Sequence, residues 1–169
     1  QYLYHVDWRR RRDGEKFEEM ERFARALPKL RAAAERDLRR RELVRERVLA
    51  CAVRLLDRGF FRIGTEDYAE TNKTFGLATM RRRHVTLGEG DLIRFDYTSK
   101  GGKRRVQSVV DRDVFKVVDA LMRRRSGDEL LAYKEGRWWV DVTSDDINAY
   151  IKEVTEDGFS AKDFRTWNA

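Results

Sequence analysis

The amino-acid sequence predicts an α+β fold, in which a mainly helical domain carries a small three-stranded antiparallel sheet. Apolar residues recur every three or four positions towards both ends of the chain, which is typical of amphipathic helices. Between these regions, over residues 84–110, apolar and polar residues alternate as they do in half-buried strands. Helices, then strands, then helices again is the element order of an α+β domain.

The N-terminal part of the chain predicts three helices. Asp13 can cap the first helix, and Pro28 should end or kink it. The stretch LRAAAERDLRR predicts a second, shorter helix, and a third runs from about Arg41 to Gly59. The opening QYLYH alternates as a strand would, although no hairpin partner lies beside it.

Three strands are predicted next, at HVTLG, DLIRFDYTS and KRRVQSVV. Glycine-containing turns at Gly88–Gly90 and at Gly101 and Gly102 should join them into an antiparallel sheet. Helical spacing returns in RDVFKVVDALMRRR, and Ser144 should cap the helix after it.

The final segment, SAKDFRTWNA, carries a strong helix start. Ser160 and Asp163 have the spacing of a capping box, but the apolar repeat that should follow is not completed. Because the opening residues also look interrupted, we interpret the chain as the middle of a longer protein.

The composition favours a polyanionic partner. Lys and Arg number 37 against 30 Asp and Glu, and 28 of the 37 are Arg, which binds phosphate through two parallel N–H groups. No run of 18 apolar residues is present, so no membrane-spanning helix is expected. The single cysteine, Cys51, excludes an internal disulfide and a cysteine metal cluster, and its apolar neighbours predict a buried thiol.

No P-loop, dinucleotide-binding glycine motif or nucleophile elbow occurs, and His5 and His84 lack metal-ligand spacing. Three basic residues remain as candidates for chemistry. Arg62 lies among apolar neighbours in FFRIG, Lys100 lies in the glycine-rich hairpin TSKGGK, and Arg165 lies in the first turns of the last helix. Alone, each signal is weak: Arg62 is equally consistent with a snorkelling side chain, and a lysine at a hairpin tip such as Lys100 is usually only solvent-exposed.

Taken together, the stretches that carry these three residues resemble a known family. FFRIGTEDYAETNKTFGLATMRRRHV, FDYTSKGGKRR and AKDFRTWNA are similar, in order and spacing, to the catalytic core of type IB DNA topoisomerases, in the poxvirus-like bacterial branch. The opening QYLYH…W…RRD resembles the junction between that family's N-terminal clamp and its catalytic domain.

The resemblance implies roles for specific residues. Arg62 and Arg165 would bind the non-bridging oxygens of the scissile phosphate, Lys100 would protonate the departing 5′ oxygen, and Lys162 would support the same site. The DNA contacts implied by the resemblance are Gln1, Tyr2, Tyr68, Thr74, Arg81, Arg82, Arg83 and His84.

The resemblance also implies an activity and a domain organisation. The enzyme would relax supercoiled DNA without ATP, metal or organic cofactor, through a 3′-phosphotyrosyl intermediate. Residues 1–12 would be the end of the clamp domain and its linker, and residues 13–169 an incomplete catalytic domain without its active-site histidine and tyrosine. The chain alone should therefore be inactive. We expect a monomer that acts on duplex DNA in the cytoplasm, associated with the nucleoid and not with a membrane.

Two alternatives remain open from the sequence. One is a non-catalytic module that binds duplex DNA, in which the three basic residues need not converge on one phosphate. The other is a fragment of a tyrosine recombinase, which uses a similar arginine–lysine–arginine set.

Overall fold

The computed structural model describes residues 2–169, apart from the side chains of residues 2–4 and 68. The elements in chain order are α1 (Tyr2–Leu38), α2 (Arg45–Gly59), α3 (Glu66–Asn72), a 3₁₀ turn (Arg82–His84), β1 (Val85–Leu87), β2 (Leu92–Ser99), β3 (Lys103–Val110), α4 (Arg112–Met122), β4 (Ala132–Glu135), β5 (Trp138–Asp141), α5 (Ser144–Thr155) and α6 (Ala161–Asn168). The predicted α+β class is confirmed. No helix in the described part of the chain is long and apolar enough to cross a membrane.

The predicted three-stranded sheet is present, with β2 in the middle. β1 pairs antiparallel with β2 and β2 with β3, so that Val85 lies opposite Phe95 and Ser99 opposite Lys103. Ile93, Phe95 and Tyr97 alternate along β2 and are buried, which places this face of the sheet against the helices. The β2–β3 hairpin turns at residues 100–102, at the end of the sheet that carries Lys100.

Helix α2 lies at the centre of the fold. Residues 48–53 are all buried, so the helix is covered around its whole circumference. It contacts α1, α4, α5, α6, β3 and β4. Cys51 is among these buried residues, as predicted. The chain segment that carries Arg62 follows directly from the C-terminus of this central helix.

Helix α1 differs from the prediction in three ways. It starts at Tyr2, so the predicted strand at QYLYH is wrong, and it passes through Asp13 and Pro28 without ending. LRAAAERDLRR therefore continues α1 as far as Leu38 and does not form a separate helix. Proline normally disrupts a helix interior because it lacks an N–H and clashes with the preceding turn. Here the buried stripe of Phe23, Leu27, Leu30, Ala34 and Leu38 runs past the proline on both sides and packs into the core, which stabilises the helix across it. The assignment of residues 1–12 to a separate domain stays a prediction.

A short helix and a two-stranded hairpin were not predicted, and one cap lies a residue earlier than expected. α3 lies inside the segment between Arg62 and Phe75, and β4 and β5 form a two-stranded hairpin before α5. The N-cap of α5 is Thr143, not Ser144, because the Thr143 hydroxyl accepts the Asp146 N–H at 3.2 Å and the Asp146 carboxylate accepts the Thr143 N–H at 2.9 Å. Both residues can cap a helix, so the sequence alone did not distinguish them.

The N- and C-terminal regions of the chain meet in an aromatic cluster around Phe23. Its ring centroid lies 5.4 Å from that of Phe159, 5.1 Å from that of Phe164 and 6.2 Å from that of Trp167, all in edge-to-face orientation. Because Phe164 and Trp167 belong to α6, this cluster holds α6 against α1.

We expect Phe23→Ala to lower the free energy of unfolding by about 3–5 kcal/mol, since it leaves a cavity among three rings. The matched control is Phe17→Ala on the same helix, where the side chain is 67% exposed and the change should stay within about 0.5 kcal/mol. Urea unfolding of both variants, followed by circular dichroism, gives the comparison. Equal midpoints for the two variants would contradict the role of Phe23 in this packing.

Candidate active site

The four basic residues predicted to be catalytic line one cavity. Arg62, Lys100, Lys162 and Arg165 surround a space of about 310 Å³, together with an apolar wall that includes Phe61 and Ile63. They come from three separate places in the chain: the segment after α2, the tip of the β2–β3 hairpin and the first two turns of α6. The fold thus concentrates positive charge from distant positions at a single opening.

Arg62 is positioned by its backbone. Phe60 adopts a left-handed conformation (φ 58°) that ends α2 and turns the chain away from the helix axis. The carbonyls of Arg62 and Ile63 then accept the N–H groups of Leu77 and Ala78, each at 2.7 Å. These two bonds hold the Arg62 segment against the segment that contains Gly76.

The two segments pass each other at Gly64 and Gly76. A Cβ on Gly76 would lie 2.7 Å from the Arg62 carbonyl oxygen, and a Cβ on Gly64 would lie 2.8 Å from the Gly76 backbone. Such distances are shorter than a side chain allows, so the approach requires glycine on both sides. Gly64 also has φ 75°, which favours glycine independently.

β2 links the hairpin that carries Lys100 to the segment that contains Gly76. The Phe75 N–H donates to the Thr98 carbonyl at 2.8 Å, which fixes the Gly76 segment next to the end of β2. The Ser99 hydroxyl donates to the Lys103 carbonyl at 2.9 Å and closes the hairpin beyond it. Lys100 lies exposed at the hairpin tip.

Helix α6 supplies Lys162 and Arg165. The Ser160 N–H donates to the Asp163 carboxylate at 2.8 Å, as the predicted capping box requires, and the Ala161 N–H donates to the Asn148 side chain at 2.9 Å. Phe164 is buried, so Lys162 and Arg165, three positions apart, share the exposed side of the helix.

Three of the four cations that line the cavity are not neutralised within the described part of the chain. Among the described residues, no carboxylate forms an ion pair with Arg62, Lys162 or Arg165. Some arginines elsewhere are paired: Arg31, for example, donates two bonds to Asp57, at 2.8 and 2.9 Å. Arginines left without a carboxylate around a cavity are suited to an anion with several oxygens, such as a phosphate.

Thr74 adds an independent indication of a ligand. It lines the same cavity and is only 7% exposed, and its hydroxyl has no hydrogen-bond partner among the residues whose side chains are described. A buried hydroxyl without a partner is destabilising by about 1–3 kcal/mol, and a ligand oxygen in the cavity would satisfy it.

The other predicted DNA contacts differ in whether their side chains are already bound within the protein. Arg81 pairs with Glu129 at 3.2 Å, and Arg82 donates to the carbonyls of Met122 and Arg124 at the end of α4. Arg83 is exposed, with its guanidinium 5.8 Å from the centroid of the Phe75 ring. The predictions for Gln1 and for the side chains of Tyr2 and Tyr68 lie outside the described residues.

His84 is held as a neutral acceptor. Its Nδ1 accepts the Arg81 N–H at 3.0 Å, and its ring lies 4.6 Å from that of Phe75. Burial, together with the positive charges of Arg83 and Arg81, lowers the pKa of His84 to about 4, against the weaker opposing effect of Asp96. The protein therefore uses His84 to fix the turn that carries Arg81 and Arg83.

Sequence reasoning missed Lys73 and the role of Gly76. Lys73 lines a second groove with Arg81, Arg82 and Arg83, beside the cavity wall at Phe75. No sequence pattern indicated it, because Lys73 takes the left-handed conformation that ends α3, a position usually held by glycine or asparagine.

Nearly all of the chain matches a known family. Residues 5–169 correspond to the family described as eukaryotic DNA topoisomerase I, catalytic core. The chain belongs to this family. The sequence resemblance to type IB topoisomerases is thereby confirmed at the level of the family.

Individual relatives agree with this assignment. DNA topoisomerase 1B of Acanthamoeba polyphaga mimivirus is 29% identical over 174 residues, which is 100% of this chain and 51% of the viral protein. DNA topoisomerase 1 of Schizosaccharomyces pombe is 31% identical over 159 residues, 93% of this chain and 18% of the yeast protein. The mitochondrial DNA topoisomerase I of Pan troglodytes is 28% identical over 162 residues, 92% of this chain and 26% of that protein. The topoisomerase I core seen here thus spans about half, or less, of the length of these relatives.

We expect Gly76→Ala to lower the free energy of unfolding by about 2 kcal/mol or more, because the added methyl group would meet the backbone of the Arg62 segment. Gly14→Ala is the matched control: it lies in α1 with nothing within 4 Å of the new Cβ, so it should raise stability by about 0.5–1 kcal/mol. Thermal unfolding of the two variants measures both effects. A neutral Gly76→Ala would contradict the close approach of the two segments.

His84 should make stability depend on pH. The unfolded chain binds a proton at His84 near pH 6.5 and the folded chain only near pH 4, so lowering the pH through this window favours the unfolded state. The free energy of unfolding should therefore fall between about pH 7 and about pH 5.

His84→Asn should reduce this slope, because the asparagine side-chain oxygen can accept the Arg81 N–H and does not titrate. Urea unfolding at several pH values measures the slope in both proteins. An unchanged slope in the variant would assign the pH dependence to other groups.

Proposed function

We propose that this chain forms the phosphate-binding half of the active site of a type IB DNA topoisomerase. The observation that carries the proposal is the convergence of Arg62, Lys100, Lys162 and Arg165 on one cavity. A module that only binds DNA does not need cations from three separate parts of the chain around one phosphate-sized space. A phosphoryl-transfer site does.

The proposed chemistry is a transesterification at one DNA phosphate. A tyrosine hydroxyl gives up its proton to water as its oxygen attacks the phosphorus and forms a bond to it. The bond from phosphorus to the 5′ oxygen breaks, and the departing oxygen takes a proton from the Lys100 ammonium. Arg62 and Arg165 offset the negative charge that builds on the non-bridging oxygens, and Lys162 supports the same charge. The reverse reaction reseals the strand, so the ester bond is conserved and relaxation needs no ATP.

None of the tyrosines whose side chains are described is placed to attack a phosphate in the cavity. Tyr150 is buried and donates to Asp37 at 2.7 Å, and burial together with this carboxylate raises its pKa. Tyr97 is buried in β2, and Tyr133 lies in β4, and neither lines the cavity. We propose that a tyrosine in another part of the whole protein attacks the phosphate, and that the chain alone binds DNA without cutting it.

Several finer assignments belong to the same proposal. The whole protein would act on duplex DNA as a monomer, through a 3′-phosphotyrosyl intermediate and without metal or organic cofactor. Residues 1–12 would connect to a DNA-clamp domain, and the protein would belong to the poxvirus-like bacterial branch and associate with the nucleoid. The charge of the cavity, its unpartnered Thr74 hydroxyl and the family of the chain support the DNA-binding part of this proposal.

We expect Arg62→Ala and Arg165→Ala each to weaken binding of this chain to a short duplex roughly tenfold, since each removes charged hydrogen bonds to a phosphate. The slope of log affinity against log salt concentration should fall by about 0.9 for each lost phosphate contact. Because both residues are proposed to bind one phosphate, the double variant should lose less affinity than the sum of the single losses. Fluorescence anisotropy with a labelled duplex at several salt concentrations gives all three quantities.

Arg39→Ala is the control of equal charge change. Arg39 is exposed at the end of α1 and pairs with Glu35 at 2.8 Å, so its loss should change the affinity far less. Strictly additive losses for Arg62 and Arg165 would favour the non-catalytic DNA-binding module. Supercoiled plasmid incubated with the chain should stay intact, and a nicked product linked to a tyrosine of this chain would overturn the proposed source of the nucleophile.

A further inference from the structure

The hydroxyl of Thr79 binds both backbone polar groups of Gly76. Thr79 Oγ1 accepts the Gly76 N–H at 2.9 Å and lies 3.4 Å from the Gly76 carbonyl, to which it donates. Thr79 is only 7% exposed, so water does not readily replace either bond. The side chain therefore closes the turn from Gly76 to Thr79 from within.

This turn holds the backbone of the Arg62 segment in place through hydrogen bonds. The two residues between Gly76 and Thr79, Leu77 and Ala78, donate the N–H groups that fix the carbonyls of Arg62 and Ile63. Thr79 also meets the other segment directly, because its Oγ1 lies 2.8 Å from the position of a Cβ on Gly64. The Thr79 hydroxyl thus lies against both of the segments that cross at Gly64 and Gly76.

The same turn reaches the lysine hairpin. Phe75, next to Gly76, donates to the Thr98 carbonyl in β2, two positions before Lys100. A change in the turn would therefore alter the position of Arg62 relative to both Lys100 and α6. Thr79 itself does not line the cavity, so any effect on a ligand has to pass through the residues that do.

We propose that Thr79 is a positioning residue, whose hydroxyl sets the backbone turn that aims the Arg62 guanidinium into the cavity. This inference rests on the proposed function, in which Arg62 binds phosphate. Valine has nearly the same shape as threonine but cannot accept the Gly76 N–H, which would be left buried without a partner. A buried N–H without a hydrogen-bond partner is strongly disfavoured, so the turn should move until the Gly76 N–H finds another acceptor. This movement would also displace the N–H groups of Leu77 and Ala78, which bind the Arg62 segment.

The test uses this chain labelled with ¹⁵N, with inorganic phosphate as the probe and the arginine Nε–Hε resonances of Arg62 and Arg165 as the readout. Arg62→Lys and Arg165→Lys assign the two resonances. In the unsubstituted chain, phosphate should shift both. In Thr79→Val, the dissociation constant of phosphate should rise roughly threefold to tenfold, and the Arg62 resonance should move even without phosphate.

Two further variants separate positioning from general stability. Thr79→Ser keeps the hydroxyl and should restore the phosphate affinity to within about twofold. Thr155→Val removes another threonine hydroxyl bond, to the Ile151 carbonyl at 2.7 Å in α5, and should leave the phosphate affinity unchanged. If Thr79→Val does not fold, Thr79→Cys replaces it, since a thiol is a weak acceptor of similar size.

The outcomes distinguish the two proposals. If phosphate moves neither resonance in the unsubstituted chain, the proposed function fails at its phosphate site. If phosphate binds there but Thr79→Val, or its Cys replacement, binds it equally well, the positioning role of Thr79 is wrong and the proposed function stands. Weakened binding that Thr79→Ser restores and Thr155→Val does not reproduce supports the positioning role.

Discussion

Two segments of the chain cross at Gly64 and Gly76 with no room for a side chain between them, and the arrangement of the cavity depends on this contact. The Arg62 segment comes from the central helix α2, and the Gly76 segment leads into the sheet, so the crossing joins the helical part of the fold to the β part. The bonds around it, from Leu77 and Ala78 to the Arg62 segment and from Phe75 to β2, involve only backbone atoms. Backbone hydrogen bonds do not depend on side-chain rotamers, so this contact is a rigid base for the phosphate contact that is proposed for the Arg62 guanidinium.

A buried carboxylate commits two of the arginines of α2 to stabilising the fold. Asp111 is buried, caps α4 through the Val114 N–H, and accepts hydrogen bonds from Arg54 and Arg58 of α2 at 3.1 and 2.8 Å. A buried carboxylate needs such partners, so these arginines are committed to holding α2 and α4 together. Arg62, only a few positions further along, has no such carboxylate among the described residues. Part of the excess positive charge of the chain therefore lies around one cavity, where the Arg62 segment, the β2–β3 hairpin and α6 meet.

Much of this arrangement could be predicted from the sequence, because it rests on local patterns. The alternation in β2 and β3 and the long apolar stripe of α2 predicted their elements, and the capping box at Ser160 predicted α6. The catalytic candidates, however, depended on the resemblance to a family, since a lone arginine or a hairpin lysine carries no pattern of its own. Helix α1 was mispredicted because tertiary packing on both sides of Pro28 outweighs its local penalty. The contacts of Arg82 at the end of α4 were equally invisible, because three consecutive arginines look alike until the fold shows which of them faces inward.

The aromatic cluster at Phe23 has a consequence for how the protein is made. A ribosome releases α1 before α6, and the rings of Phe159, Phe164 and Trp167 follow α1 only after most of the other helices and strands described here. Until α6 has emerged, Phe23 presents an uncovered apolar side chain, and the cavity lacks Lys162 and Arg165. The growing chain therefore completes the cationic lining of the cavity only after the sheet and the central helix have been synthesised.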